Sequence, residues 1–355
     1  MDASRLIPQN LPLPVSPGWF VVLQMITLTL HFLFMNLMLG GSLIALAVSL
    51  TRGDTPSPAA KTLATKIPFA IAFAVNFGVA PLLFTQVLYG QFLYTSSVLM
   101  AVPWISVIAL VILAYLAAYL VDFRYHELGS ARTAVFAFMA ACLATVAFIY
   151  TNNMTLMLDP ARWQAYFHNP HGTILNLEDP TLAPRYLHFV LASVAIAGLG
   201  LAWAAHRGWG ALSPQWVAHG LTWYAGASMG QYATGMWFYS ALPQHVAHAL
   251  GGGAGLPTLT FALGAILGIA SIATALQKRL VTTTWLLLAT TVLMVALRDM
   301  VRDLYLAPYF SAYQRTVTNE YGSLVMFLFT LFLGIGVVAW MIRTIIHDCR
   351  TEVRS

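Results

Sequence analysis

One histidine of this sequence lies inside a long segment that otherwise consists of apolar and small polar residues. His31 falls in the run Gly18 to Leu50, which carries no Lys, Arg, Asp or Glu and is long enough to span a bilayer. On a helix, His31, Met35 and Met38 share one stripe, and neighbouring glycines leave room for a flat, bulky ligand. An ionisable side chain at this depth indicates a functional site, although an imidazole that only bonds a neighbouring helix is the competing interpretation.

A second histidine repeats this arrangement further along the chain. His188 follows Pro184 at the start of another apolar segment, and Ala192 and Ala195 lie on its helical face. Small residues beside an imidazole again leave a groove. Two such histidines on different segments favour a bound cofactor over two structural core histidines.

Four further residues are candidates at the ends of apolar segments. His245 and His248 are three residues apart and precede the helix-breaking sequence GGGAG, although an interfacial, hydrated location also explains them. Arg298 and Arg302 lie one turn apart on a helical face, with acidic residues on the adjacent face. Guanidinium groups there suit anionic groups such as haem propionates, and a solvated ion-pair cluster is the alternative.

The composition of the chain indicates which kind of secondary structure carries these residues. The chain has 355 residues, 59% hydrophobic and only 8% charged, with a mean hydropathy of +0.75, which predicts an all-α polytopic membrane protein. The basic residues fall in short loops, so the net charge of +5 does not indicate nucleic-acid binding. About nine transmembrane helices in a bundled arrangement are predicted, near residues 18–48, 68–94, 99–121, 132–152, 184–206, 213–240, 256–276, 282–305 and 321–346.

The loops between these segments indicate how the chain is oriented in the membrane, and the segments indicate how its domain is divided. Alternate loops collect eleven of the seventeen Lys and Arg residues on one side, which predicts an outer N-terminus and a cytoplasmic C-terminus. Residues 1–355 are expected to form one transmembrane domain. In it, a helical bundle over 1–152 carries His31, an external loop covers 153–183, and a second bundle over 184–355 carries His188.

The sequence resembles subunit I of the cytochrome bd quinol oxidases. The resemblance rests on HFLFMNLMLGGSLIAL from His31, NFGVA and the QF of Gln91 in the second segment, TNNM and the Asp-Pro after the fourth, and LHFVLAS around His188. It implies that His31 is an axial ligand of the oxygen-reducing haem and that His188 is a ligand of the low-spin b haem. It covers residues 15–210 in register and the remainder more loosely.

The sequence lacks several features of that family that would serve oxygen reduction and quinol binding. The third segment has no acidic residue, the Gly-Arg-Gln-Pro-Trp signature is missing, and the long quinol loop is reduced to ALPQHVAHALGGGAG. Placing this stretch on the family's motif makes His248 the second ligand beside His188, with His245, Met35 and Gln91 as secondary candidates.

The resulting expectation is a haem b subunit of a bd-like complex in the bacterial inner membrane, an oxidoreductase component surrounded by lipid. It would move electrons between the quinone pool and an outer partner such as a c-type cytochrome, with Arg298 and Arg302 holding haem propionates. One alternative is a divergent oxidase or nitric oxide reductase with a reactive haem at His31. Another is a haem-free transport or assembly subunit on the same scaffold.

Overall fold

Apolar helices make up nearly all of the protein. A computed structural model describes residues 3–53, 55–253 and 255–352. The α-helices of this part of the chain are α1 (Pro17–Arg52), α2 (Pro58–Leu99), α3 (Ala101–Arg124), α4 (Ala131–Leu158), α5 (Leu182–His206), α6 (Gln215–Ser240), α7 (Gln244–Gly251), α8 (Leu256–Leu276), α9 (Leu280–Leu306) and α10 (Gly322–Glu352).

The predicted class, an all-helical polytopic membrane protein, is confirmed. Eight helices of the described residues are long and apolar enough to cross a membrane, namely α1 to α5 and α8 to α10. The remaining predicted segment, 213–240, forms α6, whose 26 residues measure about 39 Å at the rise of an α-helix. It is less apolar than the others because His219, Gln231 and several Gly, Ser and Thr residues interrupt it.

The long helices group into two bundles that meet along α1 and α5. In the first bundle α1 packs on α2 and α4, and α3 packs on α4; in the second, α5 packs on α6, and α8 packs on α6 and α9. The end of the molecule at which α1 begins is called here the α1-start end. α9 also contacts α1 and α4, so this helix of the second bundle reaches the first bundle.

Glycines allow the two bundles to approach closely. A Cβ atom built on Gly40 of α1 would overlap the main-chain carbonyl of Ser193 on α5 and would lie 2.8 Å from the Ala197 methyl group. Backbone atoms cannot move aside as a flexible side chain can. The α1–α5 contact therefore requires glycine at this position.

α2 is interrupted near its end, and a distant arginine binds the interrupted segment. Tyr89 has non-helical dihedral angles, φ −132° and ψ 30°. Arg315, in the loop after α9, donates hydrogen bonds from Nη1 to the carbonyl oxygens of Val87 (2.5 Å) and Leu88 (3.2 Å). It also donates from Nε to Leu11 O at 3.1 Å, so the same guanidinium holds the N-terminal segment.

The N-terminal segment is fixed beside that loop by main-chain hydrogen bonds. Leu13 forms an isolated parallel β-bridge with Val317. Its N–H donates to Thr316 O and its carbonyl accepts from Thr318 N, both at 2.8 Å. Residues 11–14 and 315–320 therefore form one structure across the α1-start end, which we call the terminal strap.

Replacing Gly40 with Ala should loosen the α1–α5 contact. We expect a loss of about 1–3 kcal/mol because the added methyl group meets main-chain atoms. Thermal unfolding in detergent measures it. The matched control is Gly226→Ala in α6, where nothing lies within 4 Å and a small gain from helix propensity is expected. Equal melting temperatures for the two variants would contradict this account of the contact.

Replacing Arg315 with Gln should release the end of α2. The carbonyl groups of Val87 and Leu88 then lose charged donors, each worth roughly 1.5–3 kcal/mol, and local opening should become easier. Hydrogen–deuterium exchange should become at least tenfold faster over residues 87–95, with α3 unchanged. Arg279→Gln, at an exposed arginine, is the control. Unchanged exchange over 87–95 would show that the strap does not hold this segment.

Candidate cofactor site

His31 is held by the main chain of the neighbouring helix. Its Nδ1 lies 2.8 Å from the carbonyl oxygen of Ala74 on α2. A carbonyl only accepts, so Nδ1 carries the proton and Nε2 keeps its lone pair. One turn further along α2, Gly78 faces the ring, and a Cβ there would lie 2.9 Å from it. The imidazole is therefore fixed in one tautomer and remains partly exposed.

His188 has the same environment in the second bundle. Its Nδ1 lies 3.0 Å from the carbonyl oxygen of Gln231 on α6, and Gly235 faces the ring. One difference is that the side-chain amide of Gln231 reaches Nε2 at 3.2 Å. With Nδ1 protonated, Nε2 accepts this bond from the amide.

The two histidines occupy equivalent positions of an internal repeat. In both cases the carbonyl partner lies 43 residues after the histidine, and the facing glycine comes four residues later. The repeat extends along the helices, since Gly41 of α1 packs on α2 as Gly198 of α5 packs on α6. The sequence analysis missed this repeat, and the equal spacing from His31 to Gly78 and from His188 to Gly235 is the signal that reveals it.

These features fit a metal-bound cofactor. Histidines that ligate metals usually donate their other ring N–H to a carbonyl or carboxylate, which fixes the ring and its tautomer. Here that bond is made to a main-chain carbonyl in each bundle. The facing glycines keep side-chain atoms away from the rings. At each site the ring is oriented by the carbonyl bond at Nδ1 and by close contact with a glycine of the neighbouring helix.

A cluster of arginines lies at the α1-start end, close to the His31 site. Arg302 is buried at 1% exposure, pairs with Asp299 and stands 3.8 Å from the centre of the Tyr89 ring. Arg298, one turn before Arg302 on α9, donates to the sulfur of Met154 on α4 at 3.6 Å. Both predicted arginines thus lie together where α9 meets the first bundle.

A third arginine, which the sequence analysis did not select, belongs to this cluster. Arg185, in the first turn of α5, is 8% exposed, and its charge acts on Arg298. Its Nη2 donates to Thr181 Oγ1 at 3.5 Å, and its guanidinium lies 4.8 Å from the Phe238 ring centre. The signal was a basic residue three positions before His188, inside the same apolar segment.

The arginine cluster has unused hydrogen-bond donors. Among the described residues, Nε and Nη1 of Arg302 and Nε of Arg185 are buried without a hydrogen-bond partner. Leaving buried charged donors unpaired is costly, so such atoms indicate a missing anionic group. The carboxylates of a haem propionate have the charge and the acceptors that these donors need.

A tyrosine and a carboxylate complete the cluster. The Tyr89 hydroxyl donates to Asp303 Oδ1 at 2.5 Å, and Tyr89 is 1% exposed. The interruption of α2 at Tyr89 places this ring between Arg302 and Asp303. Two carboxylates of α9, Asp299 and Asp303, therefore lie in contact with Arg302 and Tyr89.

The remaining candidates lie apart from this cluster. His245 and His248 are exposed on α7, and within the described residues no hydrogen bond or ring contact joins either of them to His188. Met35 packs into the first bundle's core, one turn after His31. Gln91 is partly exposed on α2, where its main-chain carbonyl accepts a bond from Thr95. These four stay predictions as ligand or cofactor contacts.

Comparisons with known proteins bear on the fold. No protein-family model matches the sequence, and no curated protein matches it. Among solved structures, a chain of the bd oxidase from Geobacillus thermodenitrificans is similar, with a TM-score of 0.69 and 12% sequence identity. The similarity covers 92% of this chain and 96% of that chain.

The chain therefore has a bd oxidase-like fold. Together with the eight apolar helices, this fold supports the predicted location as a multi-pass protein of the bacterial inner membrane. At 12% identity the similarity describes the backbone and not the chemistry.

Replacing Tyr89 with Phe tests the cluster. The variant keeps the ring beside Arg302 but leaves Asp303 without its hydroxyl donor, so we expect a loss of about 1–3 kcal/mol. The midpoint of thermal unfolding measures it, with the exposed Tyr321→Phe as control. A Tyr89→Phe protein as stable as the control would show that the Asp303 carboxylate does not need this bond.

Proposed function

We propose that this protein is a haem b-containing subunit of a bd-like electron-transfer complex. It moves electrons between the quinone pool and a partner at the α1-start end, such as a c-type cytochrome. The observation that carries this proposal is the repeated histidine site, in which a main-chain carbonyl fixes Nδ1 and a glycine faces the ring.

Residues of both bundles would hold the cofactor. His31 and His188 would ligate iron through Nε2, and Arg298 and Arg302 would bind propionates, with Arg185 as a further donor. A bound haem b supplies a reversible one-electron centre, whose potential the axial ligands and the surrounding charges adjust. The arginines, all at one end, would favour the electron-rich state of the haem nearest to them.

The two sites differ in what they require of the protein. At His188 the Gln231 amide, 3.2 Å from Nε2, must rotate away before iron can bind there. His248 stays our proposed second ligand for that iron, and the short helix α7 would have to turn this exposed imidazole inwards. At His31 the structure gives only Nδ1 a hydrogen-bond partner among the described residues, so Nε2 is ready to bind.

A second candidate function, the reduction of oxygen or nitric oxide at His31, has one observation in its favour. Such a reaction consumes protons, and the Tyr89–Asp303 pair places a hydroxyl and a carboxylate in the cluster that contains Arg298. This candidate requires an iron at His31 with an open coordination position, which carbon monoxide would detect.

Spectroscopy of the purified protein tests the proposal. We expect a Soret band and reduced-minus-oxidised bands of a low-spin b haem that carbon monoxide leaves unchanged. His188→Ala should remove those bands, and His31→Ala should lower the extractable haem per chain. The control is His219→Ala, because the Nδ1 of His219 bonds Gln215 within its own helix at 2.9 Å and the ring is exposed.

Each other outcome selects a different function. A carbon monoxide shift that His31→Ala abolishes would support the oxidase or nitric oxide reductase alternative. A protein that carries no haem when expressed in a haem-sufficient host would contradict both, and would favour the haem-free transport or assembly subunit. Loss of haem in His219→Ala as well would mean that the variants report misfolding rather than ligation.

A further inference from the structure

An aromatic cavity opens at the α1-start end, beside the last turns of α2. It has a volume of about 350 Å³. α2 contributes Tyr94, Thr95 and Val98, and the 3₁₀ helix Pro160–Phe167 contributes Trp163, Tyr166 and Phe167. We call this space the α2-end cavity. None of the candidate ligands lines it.

We propose that the α2-end cavity binds the head group of a quinone or quinol. The proposal rests on the function proposed above, to which it adds the place where the lipid-soluble redox partner binds.

The cavity's position suits a ligand with a polar ring and a long apolar tail. It lies where a membrane-crossing helix ends, so its ring site is near the interface while the exposed side of α2 continues into the bilayer. Tyr94 and Val98 are 57% and 64% exposed on that side. An isoprenoid tail can leave the cavity along this apolar surface without crossing a polar layer.

The walls match the chemistry of the head group. Trp163, Tyr166 and Phe167 offer ring faces and edges to a planar ring, and cavities of a few hundred Å³ with mainly apolar walls are typical ligand sites. Hydroxyl groups of Tyr94, Thr95 and Tyr166 can serve the two ring oxygens. Trp163 itself is fixed, because its Nε1 donates to Leu156 O at 2.8 Å.

A line of aromatic rings joins this cavity to the arginine cluster. From Trp163 the ring centres follow at 6.0 Å to Phe92, 5.4 Å to Phe310 and 6.0 Å to Tyr89. Tyr89 then contacts Arg302. The cavity is thus connected through packed rings to one of the arginines proposed to bind propionates.

The redox balance is that of any quinol. Oxidation to the quinone breaks two O–H bonds and releases two electrons and two protons. The haem of the proposed function would accept these electrons one at a time, in two successive one-electron transfers. The protons leave to water at the open side of the cavity, where Tyr166 is exposed.

Filling the cavity tests the proposal in the full-length protein. Val98→Trp places an indole at the cavity, and the matched control Val22→Trp makes the same change at a valine of α1 that is 55% exposed and lies outside the cavity. With a short-chain quinol as reductant, we expect Val98→Trp to raise the quinol concentration for half-maximal haem reduction at least tenfold. Reduction by dithionite and the haem spectrum should match the control.

Direct labelling gives a readout that does not depend on haem. An azidoquinone irradiated with the protein in nanodiscs should label residues 94–99 and 163–167, and excess unlabelled quinone should prevent this. Labelling confined to other segments would overturn the proposal, as would wild-type quinol dependence in Val98→Trp. Labelling by a photoactivatable phospholipid that excess quinone does not displace would show a lipid crevice instead. A haem-free protein that still binds quinone in the cavity would refute the proposed function and leave this site standing.

Discussion

A histidine inside a membrane helix needs an acceptor for its ring N–H, because no water is available there to replace one. In this protein the acceptor is a main-chain carbonyl of the adjacent helix, Ala74 for His31 and Gln231 for His188. That carbonyl is already part of its own helix and accepts a second bond at its other lone pair. The bond requires close helix contact, which explains why glycine faces each ring and why α1 and α2 pack as tightly as α5 and α6.

The same histidine–carbonyl hydrogen bond occurs in both bundles, but the residues around it differ. The second bundle places a Gln231 amide against the ring nitrogen that would bind iron, whereas the first does not. The first bundle instead receives α9, which brings Arg298, Arg302, Asp299 and Asp303 to its end. A scaffold with equivalent histidines thus gives them different neighbours, so two haems bound there as proposed would differ in redox potential.

Sequence reasoning found the helices and the histidines for a simple physical reason: hydrocarbon excludes charge, so apolar runs and the exceptions within them stand out. The predicted segment 256–276 coincides with α8, while α2 begins at Pro58, ten residues before its predicted start, because Lys61 and Lys66 interrupt the hydropathy without interrupting the helix. The partners of His31 and His188 could not be predicted, since a carbonyl is present at every residue. Arg185 and the Tyr89–Asp303 bond were missed because they depend on where α5, α2 and α9 meet.

The terminal strap has a consequence for the order in which the protein is made. Arg315 binds Leu11 and the carbonyls before Tyr89, so three stretches distant in the chain meet at one guanidinium. During synthesis α1 and α2 can pair as soon as both have entered the membrane, yet the segment around Tyr89 cannot reach its final form until residue 315 has left the ribosome. The arginine cluster is therefore completed late. A cofactor bound there as proposed would meet an incomplete site until α9 has entered the membrane, so its loading would follow translation of most of the chain.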